Sequence, residues 1–168
     1  MRSMPRIITK IGDVFSAQLG EKTKKYFQYV ANDLTQLNSD VIRAFKKTYS
    51  LEENTDLSVL VNDEVDFYAH CVTKWGIKLG YWEKVGNVAD VGRVNVLFRN
   101  TSDWGPKAGE QVKVSHRWWI WKINQEHKYV GKLEGENQKA EIGIVISPDS
   151  IVHRIKTGRY DFVYPEYE

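Results

Sequence analysis

Arg117-Trp118-Trp119-Ile120-Trp121-Lys122-Ile123 is the run on which the class of the fold turns. Read as a strand, it sends Trp119, Trp121 and Ile123 to one side and Trp118 and Ile120 to the other. Both faces are then apolar. Such a strand is either central and covered on both sides within the chain, or covered on one side by a partner.

Working outward, Asn124-Gln125-Glu126 turns the chain into a further short strand at residues 129 to 133, and residues 142 to 146 read as the last long strand. On the other side, residues 100 to 109 hold Ser102-Asp103, Gly105-Pro106 and Gly109, which is loop chemistry, with Trp104 at the centre. Residues 94 to 98 precede this loop as a strand. Residues 75 to 92 are punctuated by glycine and suggest short strands or a long connection. Residues 65 to 71 alternate, with Val65, Phe67, Ala69 and Cys71 on one face. Near the start, residues 11 to 19 and 26 to 31 make two strands about the polar turn Gly20-Glu21-Lys22, and residues 41 to 45 a third.

Two helices are expected. Asp56 can start a short one at residues 57 to 61. The better-signed one has Ser147 as cap, Pro148 in the first helical position, and Ile151, Val152 and Ile155 as an apolar stripe. Gly158 ends it. The aromatic tail, residues 160 to 167, alternates as a final strand would. The expectation is one domain over residues 1–168, mainly β (α+β), built as a strongly curved antiparallel sheet or small open barrel with the C-terminal helix packed on it.

Composition agrees with a folded domain: 42% apolar and 27% charged residues, with six Trp, nine Tyr and six Phe. The net charge is +2, from 24 basic and 22 acidic side chains that are interspersed, so no stripe of one sign points to nucleic acid. The opening residues lead into no apolar signal segment, and no apolar run approaches the ~20 residues that span a bilayer. With Cys71 as the only cysteine, no intramolecular disulfide can form, and a reducing cytoplasm is the expected compartment.

Catalytic patterns are lacking. His70 and Cys71 are adjacent on a strand and diverge, and Cys71 shares the apolar face of Val65 and Phe67, so it is expected to be buried and inert. His116, His127 and His153 have no paired nucleophile. No metal-ligand spacing occurs, and the glycine pairs Gly105/Gly109 and Gly131/Gly135 lack the Lys-Ser/Thr of a phosphate loop. No enzyme activity, cofactor or metal is expected. Tryptophan and arginine anchor protein interfaces, which makes Trp104, His116, Arg117 and Trp118 the candidate partner-binding residues.

The opening Lys10-Ile11-Gly12-Asp13-Val14-Phe15-Ser16, followed by Tyr26-Phe27-Gln28-Tyr29, resembles the start of the immunity-protein family numbered twenty-six in bacterial polymorphic-toxin systems. The Trp118-x-Ile120-Trp121 run and the helix Ser147-Pro148-x-x-Ile151-x-x-x-Ile155-x-x-Gly158 look similar as well. The resemblance implies a non-catalytic protein that binds a cognate toxin and covers its active site or a neighbouring surface. Immunity proteins against nucleases are commonly acidic, and this slightly basic chain departs from that. The alternative is a small β-barrel binding module for a small ligand or nucleic acid, marked by an aromatic face rimmed with clustered Lys and Arg. A hydrolase stands third, and would need a deep pocket joining His116 to a carboxylate.

Overall fold

The computed structural model of the chain describes residues 6–167; residues 1–5, at the start of the stretch read above for a signal, lie outside the described residues. Among the described residues ten strands form two open sheets. The first contains β1 (Asp13–Gln18), β2 (Thr23–Asp33), β3 (Ser39–Phe45), β4 (Tyr49–Ser50), β5 (Val65–Cys71) and β6 (Glu83–Asn87). Its order is β5-β3-β2-β1-β6, all antiparallel, with β4 on the first residues of β2. The second contains β7 (Leu97–Thr101), β8 (Trp118–Lys122), β9 (Lys128–Gly131) and β10 (Glu141–Ile142), in the order β10-β7-β8-β9.

The two-residue period puts Phe15, Phe27, Ile42 and Phe67 on one face of the first sheet, where the Phe15 and Phe27 rings stack at 5.1 Å. This face is covered by Ile151, Val152 and Ile155 of a helix at Pro148–Thr157. The mainly β architecture with a C-terminal helix packed on the sheet is as the sequence implied. Gly158 ends that helix in the left-handed conformation, φ 87°, and its amide donates to the Arg154 carbonyl at 2.7 Å. Ser147 occupies the cap position, but its hydroxyl reaches Ser150 Oγ at 3.2 Å in place of a backbone amide.

The opposite face is buried too. At one end Val14, Tyr26, Phe45 and Tyr49 lie under Leu60 of α1 (Leu57–Leu60), a short helix whose first turn Asp56 caps by accepting from the Ser58 amide at 2.9 Å. At the other end Val30 and Val41 meet Val96, Phe98 and Trp121 of the second sheet. The first sheet is therefore the middle layer, with helix on one side and the second sheet on the other.

This arrangement decides between the two readings of the tryptophan run. Trp121 faces the first sheet, and on the opposite face Trp118 lies under Tyr164 of the C-terminal tail, ring centroids 6.0 Å apart. Both indoles are covered by the chain itself.

Four expectations need correction. Residues 142 to 146 do not form a long strand: β10 pairs with β7 in parallel for two residues, and Val145 makes only an isolated bridge to His70. Gly143 lies so close under the Trp121 ring that no side chain fits there, and the strand breaks at that crossing. The tail is not a strand either: it bridges only at Glu166 with Val114, and its rings divide between the two sheets, Tyr164 against Trp118 and Tyr160 against Phe67. Residues 75 to 92 contain a helix, α2 (Thr73–Lys78), before β6. Finally, β7 begins at Leu97, later than the expected residue 94. The Pro148–Thr157 helix is hereafter α3.

Candidate partner-binding surface

Three of the four residues singled out in the sequence meet on one loop. The β7–β8 connection, residues 102 to 117, closes at its base, where the Ser102 amide donates to the Arg117 carbonyl at 3.1 Å. Ser115 is the buried knot of this base. Its hydroxyl meets Thr101 Oγ1 at 2.5 Å and accepts from the Arg117 amide at 3.1 Å, while its carbonyl accepts the Trp118 indole N–H at 2.8 Å. Above the base the Asp103 carboxylate accepts from the Gly105 amide at 3.2 Å and shapes the turn at Trp104.

Trp104 is 81% exposed, and His116 and Arg117 are exposed beside the closed base. Trp118 is not. At 0% exposure it is a core residue that anchors the loop from below and offers no surface to a partner. The strand alternation marked it as a possible surface residue because the sequence does not show that Tyr164, far along the chain, returns to cover it.

Next to this loop runs a groove of about 640 Å³ that sequence reading missed. It is lined by the residue 138–142 segment, the C-terminal end of α3 and the tail, together with Arg99 of β7 and Lys113 of the loop. Five basic side chains (Arg99, Lys113, Lys139, Arg154 and Arg159) line it against the carboxylates of Glu141 and Glu166. Arg99 is packed against two rings, 5.4 Å from Trp118 and 5.3 Å from Tyr167, and donates to the Ala140 carbonyl. Arg154 lies 4.1 Å from the Phe67 ring and 4.7 Å from Tyr160. Burial pushes the Glu141 carboxyl up, against the opposing pull of Arg154 and Arg99. Burial likewise raises the phenols of Tyr160 and Tyr164, each to about 12, so both stay neutral hydroxyls at ordinary pH. No local motif announces this groove, since its residues come from five separate stretches. The one legible trace is the aromatic alternation of the tail.

A third polar centre lies inside the molecule. Asp33 Oδ2 accepts from His70 Nε2 and from the Trp121 indole, both at 2.9 Å, and Oδ1 accepts from the Asn124 amide at 2.9 Å and the Thr35 hydroxyl at 2.7 Å. Burial works to raise this carboxyl, yet the hydrogen bonds from His70, Asn124, Thr35 and Trp121 outweigh it and hold the pKa at about 2. Both Asp33 and His70 are fully buried, so no substrate reaches this pair. Its donors come from both sheets, and it works as a polar rivet between them. Cys71, at 0% exposure, is buried as expected, and burial pushes its thiol well up.

His116 does not line the groove. Among the described residues no group of three or more His, Cys, Asp or Glu side chains is placed to hold a metal, and no helix is long and apolar enough to cross a membrane. Comparison with known proteins gives no family model that matches the chain, and no curated protein or solved structure that matches it.

Proposed function

We propose that this chain is a non-catalytic immunity protein, which binds a cognate bacterial toxin and holds it inactive in the cytoplasm. The observation that carries the reading is Trp104: a large aromatic side chain is held out to solvent on a loop whose base is pinned by Ser115 and the buried Trp118. Exposing an indole forgoes its burial energy, whereas at an interface the same ring supplies contact area at little entropic cost. His116 and Arg117 add a polar rim beside it. The resemblance of the Gly12-Asp13-Val14-Phe15 opening to immunity family twenty-six supports the same reading.

One observation favours the small-ligand form of the alternative, a binding module for a small ligand or nucleic acid. The groove sets clustered Arg and Lys beside Tyr160, Phe162 and Tyr164, the pattern which that reading calls for.

Co-expression separates the two. The toxin gene is expected immediately upstream of the gene for this chain, and producing this chain should protect cells from that toxin's C-terminal domain, with Trp104→Ala weakening protection. If the neighbouring genes encode a metabolic pathway, or protection fails at full expression, the immunity reading is lost.

A further inference from the structure

We infer that the groove between α3 and the C-terminal tail is a docking site for an acidic, carboxylate-rich segment of the partner protein. The inference rests on the partner-binding reading and names the chemistry the partner must bring. Charge is the first argument: five cationic side chains face two carboxylates, and one of those, Glu141, is already engaged at 3.6 Å by Arg154. That separation is longer than a hydrogen bond, so the Arg154 fork is not saturated by its partner.

Pre-organisation is the second. Arg99 is packed against the Trp118 and Tyr167 rings, and Arg154 against Phe67 and Tyr160, which meet each other edge-to-face at 6.3 Å. Packing against aromatic rings restrains a guanidinium and lowers the entropy lost when it binds an anion. A planar edge of N–H donors is the geometry that carboxylates accept in pairs.

The same packing argues against single-stranded nucleic acid. Bases need free aromatic faces. Here Trp118 and Phe67 are buried, Tyr167 and Tyr160 each carry a guanidinium, and Tyr160 and Phe162 stack on each other at 4.9 Å.

The test uses the full chain and a fluorescein-labelled hexaglutamate peptide, followed by anisotropy at low and high salt. Lys113→Glu with Arg159→Glu reverses two exposed charges of the groove, and Lys74→Glu with Lys78→Glu makes the same total charge change on α2, away from it. The groove pair should weaken peptide binding by about tenfold or more, the α2 pair by less than about twofold, and salt should weaken binding to the unaltered chain. Absence of binding, or equal loss in both variants, overturns the assignment. So does an oligothymidylate of equal charge that displaces the peptide and binds more tightly. Failure here with toxin protection intact removes the groove alone, and peptide binding without protection removes only the immunity reading.

Discussion

Asp33 shows how much a single buried charge can organise when every lone pair is used. Its carboxylate ties the Trp121 indole of the second sheet to His70 of the first, and backbone amides complete the set. Burial pushes the His70 imidazole down from its usual 6.5, against the opposing hydrogen bond and charge of Asp33. Both shifts make acid destabilising. As pH falls below 6.5 the unfolded chain takes up the proton that native His70 resists. Below 3.8 the unfolded Asp33 protonates first, and its contribution is lost as pH approaches about 2. The melting temperature should therefore drop as pH falls from about 7 to about 5, and His70→Gln, which keeps a donor for Asp33, should flatten that slope. A slope unchanged in the variant would place the titration elsewhere. None of this was legible in the sequence, where Asp33 ends an unremarked stretch and His70 stands beside a cysteine. The partners of the carboxylate lie about ninety positions away for Trp121 and Asn124.

At the level of elements, legibility followed the range of the forces involved. The α3 signals are local: Pro148 at the start, the 151/152/155 stripe, and a glycine that takes positive φ at the end. The β1–β2 hairpin is local as well, and both elements form where the sequence places them. Helix α2 was missed because Gly76 argues against a helix by propensity. It is tolerated because the Trp82 ring packs where a side chain would stand, and that indole is fixed by donating to the Thr73 carbonyl at 2.9 Å. The β2–β3 turn has the opposite character. Leu37 and Asn38 both take left-handed backbone, φ 57° and 50°, and Leu37 is 84% exposed. Asparagine and glycine suit such a mirror-image turn, and leucine carries a Cβ penalty there. Leu37→Asn should raise stability by ~0.5–1 kcal/mol, read as a higher urea midpoint at unchanged m. A lower midpoint would mean that Leu37 makes a contact which the turn geometry does not reveal. Nothing within the chain explains why leucine stands there.

Seen whole, the molecule is a sheet covered on both faces, with its second sheet turned so that one long loop and one charged groove lie side by side at its edge. The mainly β class was accessible from periodicity alone, whereas the layering was not. It depends on the tail and the 140–146 segment crossing back over the tryptophan strand, where Gly143 admits the Trp121 ring and Tyr164 covers Trp118. For the same reason the two tryptophans proposed as partner contacts separate in role. Trp118→Ala should cost ~3–5 kcal/mol as a core truncation, while Trp104→Ala should stay within ~0.5 kcal/mol of the unaltered chain. The central claim, that the exposed loop is a binding surface for a toxin encoded next door, is tested most directly by calorimetric titration of that toxin's C-terminal domain into the unaltered chain and into Trp104→Ala, with melting temperatures measured alongside. Tight one-to-one binding that weakens by about thirtyfold or more in the variant, at an unchanged melting temperature, is the predicted result. Absence of binding, or a variant that binds as well as the unaltered chain, would contradict it.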